Sequence, residues 1–387
     1  MMPAMMSSLR YLPQLILVLL CGPGSSACAV ESRTPMEILP LSEAWTLAQF
    51  GPRDAPHTLL VREDDGVHVH GVDLSVARKN FAANPFDVIA GLDFAEFDTA
   101  ANDGMISVPY ADLLPLGHGS TANVAAGVNY KAHAEESEVE GGGFLFPKLA
   151  ESTNAVAGPV ASSDAMLDYE VELAVTFDRD ITRVEDLADA RAGFFLCIDY
   201  TERAILARLV DRNDVQSGKG FPEAKGFSGA FQTGPYMVVP HDWPAFLDRV
   251  TLSLTVNGKK RQEAEASMME TPIPGLIEQA LAHGATPRWT YYGRPVPLLP
   301  TGIFKKGVTL LTGTPEGVIF APPSTAFIFK AALKGMLTLG FLRGGLQHYV
   351  VEHFIADAIA SRRFLQPGDT VVASAPGLGA ITSIIRP

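Results

Sequence analysis

Three carboxylates stand at every second position in Asp168-Tyr169-Glu170-Val171-Glu172-Leu173. A strand with that period puts Asp168, Glu170 and Glu172 on one face and Tyr169, Val171 and Leu173 on the other. Same-face neighbours then lie about 6–7 Å apart, a spacing at which like charges repel more strongly as water is lost. A solvated edge strand relieves that repulsion, and so does a divalent cation shared by the carboxylates. A fourth carboxylate, Asp199, ends the apolar run Gly193–Ile198. A charge in that place either caps the next helix or faces a site.

Further chemistry-bearing residues surround this pair of segments in the chain. His133 and Glu136 are three residues apart in Asn129–Glu136, so on a helical turn they are neighbours. A histidine oriented by a carboxylate is the arrangement of a general base, with a surface ion pair as the plainer alternative. Arg203, four residues after Asp199, could reach back to it. Lys225 sits in the glycine-punctuated loop Gly218–Gly229, either solvated or placed to neutralise a developing enolate. Thr314 belongs to a Gly-Thr-Pro turn whose hydroxyl and backbone N–H groups suit a substrate carboxylate. His68 and His70 read as plain surface.

The elements that must position these residues are mostly strands. Asp64-Asp65-Gly66 supplies the turn of a hairpin between Thr58 and Val72, and Asn123–Val128 reads as a buried strand leading into a helical turn. Strands are expected at Gly193–Ile198, Tyr236–Val239, Leu252–Asn257 and Val308–Thr312, and two more near the C-terminus, with a helix over Thr201–Arg212. The 35 glycines and 28 prolines fit a loop-rich, mainly β protein with some α, an α+β class. A soft boundary before Ala122 separates a small accessory domain (30–121) from a larger one (122–387). The apolar, interrupted segment 324–364 reads as two helices that cover the site or build an oligomer contact; resting on a membrane surface is the weaker reading. Its longest uncharged stretch, Gly335–Leu342, is too short to span a bilayer.

At the N-terminus, Arg10, the apolar Leu15–Cys21, Gly22-Pro23-Gly24 and Ala27-Cys28-Ala29 read as an export signal over residues 1–29, to the periplasm or outside the cell, with an uncleaved anchor or a lipid-attached Cys28 as the alternatives. Its removal would leave Cys197 alone and no internal disulfide. The net charge of −13, with no basic run, argues against nucleic acid or an anionic membrane as partner.

Taken in order, G-V-N-Y-x-x-H-x-x-E, D-Y-E-x-E-L, C-I-D-Y-T-x-R, A-K-G-F, L-T-G-T-P-x-G and L-x-P-G-D resemble the fumarylacetoacetate hydrolase family from about Val124 to the C-terminus. The resemblance implies a mixed β-sandwich roll, a homodimer and one divalent cation. It implies Glu170, Glu172 and Asp199 as metal ligands and His133 with Glu136 as the water-activating pair. Lys225 would steady the enolate or departing carbanion, and Arg203 and Thr314 would contact the substrate. An all-oxygen ligand set selects Mg²⁺, Mn²⁺ or Ca²⁺. The implied reaction is hydrolysis of a C–C bond in a small β-dicarbonyl or 2-oxo acid. Decarboxylation, isomerisation or dehydration at the same site is the alternative, and a catalytically silent exported binding protein a further one. The export signal, an insertion at 283–306 carrying Trp289, Tyr291 and Tyr292, and the 324–364 insertion depart from the family pattern.

Overall fold

The computed structural model describes residues 33–93, 104–117, 120–140, 142–154 and 166–387, which belong to one unit running from Arg33 to Pro387. The export signal expected over 1–29 lies outside the described residues. Aliphatic and aromatic residues in short runs build the strands. The first are β1 (Ala44–Phe50), β2 (His57–Asp64), β3 (His68–Asp73), β4 (Met105–Pro109) and β5 (Asn123–Gly127). After helix α1 (Lys131–Glu136) come β6 (Phe144–Lys148), β7 (Val171–Phe177) and β8 (Ala192–Asp199). Helix α2 (Arg203–Leu209), β9 (Tyr236–Pro240), β10 (Thr251–Val256), β11 (Lys259–Glu265) and β12 (Leu310–Leu311) follow. The chain ends with helices α3 (Thr325–Leu337) and α4 (Gly345–Ala360) and strands β13 (Thr370–Ala375) and β14 (Gly379–Ile384).

Ten of these strands form one sheet in the order β4-β3-β2-β1-β9-β8-β7-β12-β5-β6. Every residue of β7 and β8 is buried, which accounts for their largely apolar sequence and leaves Glu172 and Asp199 as buried charges within it. The second sheet, β11-β10-β13-β14, alternates: Leu252, Leu254, Val371, Ala373 and Ile381 turn inward and join Leu173 and Phe194–Ile198 in one core. Two sheets sharing a core make a sandwich. The architecture is the sheet-dominated α+β fold expected. The region before 122 contributes β1–β4, which continue the large sheet because β1 pairs antiparallel with β9. The expected hairpin is present there, with Leu60 opposite Val72.

Two local expectations are corrected and one open alternative is closed. The carboxylate strand breaks: Leu167–Asp168 pairs with Thr201–Glu202, Tyr169 and Glu170 lie outside any strand, and β7 starts at Val171. Asp199 does not cap the following helix, since Glu202 accepts the Ala204 N–H at that helix start. Arg203 does not reach Asp199; it binds Asp168 and Glu170.

Candidate active site

Strand pairing brings the carboxylates together. In the antiparallel register of β7 and β8, Val171 lies opposite Ile198 and Glu172 opposite Cys197. The Asp199 N–H donates to the Glu170 carbonyl at 2.8 Å, which sets the two residues side by side. One carboxylate oxygen from each of Glu170, Glu172 and Asp199 lies within 4.8 Å of the others, and all three residues are buried.

The cluster is cross-braced by three buried cations. Lys225 Nζ donates to Glu170 Oε2 at 2.6 Å and to Asp199 Oδ2 at 2.9 Å. Lys148 Nζ donates to Asp199 Oδ1 at 2.6 Å and to the Lys225 carbonyl at 2.6 Å. Arg203 donates through Nε to Asp168 Oδ2 at 2.8 Å and through a terminal nitrogen to Glu170 Oε1 at 2.7 Å. Asp168, expected on the same face as the two glutamates, is turned away. Its oxygens accept the backbone N–H groups of Ile319 and Phe320 at 2.9 and 3.0 Å. It therefore anchors Arg203 and stays outside the three-carboxylate cluster.

The charges do not balance. Asp168, Glu170, Glu172 and Asp199 face Lys148, Arg203 and Lys225, so one negative charge remains over. That surplus settles on Glu172, which takes a hydrogen bond from the Gly313 N–H at 2.7 Å but lies in none of the cluster's ion pairs. Burial, with Asp199 and Glu170 beside it, pushes the Glu172 carboxyl well above the ordinary range. Burial also opposes ionisation of Glu170, yet Lys225 and Arg203 outweigh it and hold that carboxyl at about 2. Lys225 is held above the ordinary lysine value: burial would lower it, and Asp199 and Glu170 prevail. Lys148 goes down, because burial prevails over Asp199. Hard oxygen donors, converged, dehydrated and one charge in excess, suit a small divalent cation. Glu170, Glu172 and Asp199 are the residues that would hold it.

Opposite this cluster stands the histidine. Helix α1 follows β5 directly and carries His133, buried, whose Nδ1 lies 3.2 Å from Glu136 Oε2. Both Glu136 oxygens also accept the Gly317 N–H at 3.1 Å. Gly317 has φ +101°, and a Cβ on it would come within 1.9 Å of the Arg261 carbonyl oxygen. Only glycine allows that N–H to point at Glu136. His133, Glu170, Arg203, Lys225 and Thr314 line one cavity of about 70 Å³, walled on its apolar side by Phe146 and Phe221. The Thr314 hydroxyl donates to the Val171 carbonyl at 2.9 Å and accepts from Gln262 Nε2 at 2.9 Å.

A family model described as fumarylacetoacetate hydrolase C-terminal matches residues 122–386. The chain belongs to the fumarylacetoacetate hydrolase family. Among its relatives, the oxaloacetate tautomerase FAHD1 of Bos taurus mitochondria is 29% identical over 226 residues, 56% of this chain and 89% of the relative. The mitochondrial oxaloacetate decarboxylase of Dictyostelium discoideum is 27% identical over 227 residues, with the same coverage. Among solved structures, maleylpyruvate hydrolase from Sphingobium aligns with TM-score 0.51 and 19% identity, over 88% of this chain and 99% of that one. The fold is thus a fumarylacetoacetate hydrolase family fold.

Every site residue expected from the sequence lies at this cluster or lines this cavity, except Glu136, which stands behind His133. Lys148 is the residue that sequence reasoning passed over. It ends the strand Phe144-Leu-Phe-Pro-Lys, where a lysine normally leaves for solvent, and here it is fully buried on Asp199. Of the two insertions, 283–306 forms the hairpin Pro287–Tyr291 with Arg294–Pro297, and Tyr291 donates its hydroxyl to the Gly226 carbonyl at 2.9 Å. That bond ties the insertion to the residue after Lys225.

Proposed function

We propose that this chain is a divalent-metal-dependent enzyme acting on a small 2-oxo acid, with enol–keto proton transfer as its reaction. One observation carries the reading: Glu170, Glu172 and Asp199 converge beside a small cavity into which the buried His133 also faces. The relatives named oxaloacetate tautomerase and oxaloacetate decarboxylase make a four-carbon oxo-diacid the first substrate to test. A compact cavity supports the same choice.

Bound by the three carboxylates, Mg²⁺ or Mn²⁺ would supply Lewis-acid polarisation of the substrate's oxygens. The protein's own groups do the rest. Glu136, fixed by the Gly317 N–H, holds His133 through Nδ1 and leaves Nε2 to work. Nε2 takes a proton from the carbon beside the oxo group and returns it to the oxygen, so a C–H bond breaks and an O–H bond forms; the reverse path yields the keto acid. The Lys225 ammonium stands where enolate charge develops. The Arg203 guanidinium, locked by Asp168 and Glu170, attracts the substrate carboxylate. Phe146 and Phe221 keep bulk water from the transferring proton.

C–C bond hydrolysis is the second reading, favoured by the same His133–Glu136 pair, which can take a proton from water as well as from carbon. The test is to assay enol-oxaloacetate ketonisation, oxaloacetate decarboxylation and acylpyruvate cleavage with Mg²⁺ and after chelation. We expect Mg²⁺-dependent ketonisation that falls about 10²–10⁴-fold in His133→Asn. Acylpyruvate cleavage without ketonisation would install the second reading. No metal-dependent turnover of any of the three would leave an oxo-acid binding protein.

A further inference from the structure

Helices α3 and α4 form a hairpin whose outer surface gathers eight of the exposed large apolar side chains among the described residues. The inner side is packed: Gly335 lies against the Tyr349 ring, so close that a Cβ would sit 2.6 Å from it. Phe327 stacks on His353 and meets Phe354 edge-on. The base is anchored, since Val351, Phe354, Ile355 and Ala358 of α4 share a cluster with Met166 and Ala204, and Arg208 of α2 pairs with Glu352. The outer side has no such partners among the described residues. Ile328, Phe329, Leu333, Met336 and Leu337 are exposed along α3, and Leu339, Leu342 and Leu346 continue the surface around the tip. Phe329, Leu337 and Leu342 are 68%, 77% and 70% exposed, values far above those normal for such side chains.

The charges on this hairpin point to what covers it. The protein carries −13 overall, yet from Val318 to Val351 there is no Asp or Glu. Lys330 and Lys334 lie one turn apart on the exposed side of α3, next in sequence to Phe329 and Leu333. An apolar strip flanked only by cations is what an interfacial helix needs: apolar side chains enter the acyl boundary while lysine stems extend to the headgroups. A second copy docked through the same strip would bring its own Lys330 and Lys334 to the contact and no acid to answer either set. No described helix is long and apolar enough to cross a membrane, so the contact is one of lying on the surface.

We propose that the α3–α4 hairpin docks the protein on an anionic lipid surface, with Phe329, Leu333, Leu337 and Leu342 inserted and Lys330 and Lys334 at the headgroups. The overall negative charge opposes approach to such a surface, and the local strip overcomes it. Screening by salt then weakens binding through the two lysines while leaving the apolar part.

The test is co-sedimentation of the full chain with phosphatidylcholine vesicles, with and without phosphatidylserine, at low and physiological salt. Expected is binding that rises with phosphatidylserine and falls with salt. In Phe329→Glu/Leu337→Glu/Leu342→Glu, partitioning should drop about 100-fold. Lys330→Gln/Lys334→Gln should remove the preference for phosphatidylserine. Unchanged thermal stability and soluble-substrate activity serve as the control for folding. Equal partitioning of parent and triple variant would overturn the proposal by placing the binding elsewhere in the chain. Absence of vesicle binding, with self-association that the triple variant loses, would overturn it in favour of a second copy.

Discussion

Lys148 shows how much a single buried cation can carry. Its ammonium bonds Asp199 and the backbone carbonyl of Lys225, so it fixes a carboxylate of the cluster and the loop that delivers the second lysine. Lys148→Met removes the cation and leaves the carboxylates two charges in excess. Breaking a buried pair by deleting one partner costs about 3–5 kcal/mol. The expected outcome is a loss of that order in denaturant unfolding without metal, partly recovered by millimolar Mg²⁺, which answers the same excess charge. Equal losses with and without Mg²⁺ would mean that the carboxylates do not share a cation. The residue was illegible for a physical reason. Alternation and strand ends point to Glu170, Glu172 and Asp199, whereas a lysine closing an apolar strand reads as solvated unless the sheet beside it is known. Arg203 taught the same lesson from the other side. The four-residue spacing pointed it at Asp199, whereas in the fold it binds Asp168 and Glu170, beside a break at Tyr169–Glu170 that the alternation did not show.

At the level of elements, the site is assembled by strand ends and by one turn. β12 has only two residues, but it lies between β7 and β5 and releases the chain exactly where Gly313 meets Glu172 and Gly317 meets Glu136. The Gly-Thr-Pro turn was legible as a turn with free N–H groups; that two of those groups address protein carboxylates was not, because both partners are over 140 residues away. Gly317→Ala tests the arrangement. Its Cβ would collide with the Arg261 carbonyl at a positive φ, so the turn must shift and withdraw the N–H from Glu136. We expect destabilisation of at least about 2 kcal/mol and a proton-transfer rate that falls more than metal affinity does, since the cation's ligands lie on other elements. A variant with weakened metal binding and an unchanged rate at saturating metal would refute the role given to this turn.

Across the whole molecule, long-range pairing decides what the sequence leaves open. The hairpin of β2 and β3 was visible in its Asp-Gly turn, yet the continuity of β1–β4 with the large sheet rests on β1 pairing with β9, far along the chain, which no local pattern encodes. The same long-range assembly concentrates four carboxylates and three cations in one core, and this couples the stability of the fold to pH. Glu170, held at about 2 by Lys225 and Arg203 despite its burial, contributes stability above the ordinary glutamate range and loses it as pH falls through 2. Glu172 runs the other way. Burial, Asp199 and Glu170 raise its folded-state value, so its contribution is fully present below an ordinary glutamate's value of about 4.3 and is lost as pH rises through the raised one. In that upper window the cation-free protein must either keep a proton on Glu172 or bear the excess charge, and a divalent cation relieves both. Mg²⁺ at about 100 times its dissociation constant stabilises by about 2.7 kcal/mol. Because binding must displace the Glu172 proton, that constant itself improves with pH. The thermal shift on adding Mg²⁺ is therefore expected to be small near pH 5, to grow as pH rises through the Glu172 transition, and to be flat in Glu172→Gln. Scanning calorimetry at fixed total Mg²⁺ across this range checks it, and a shift that is largest at acid pH would remove Glu172 from the cation's ligands.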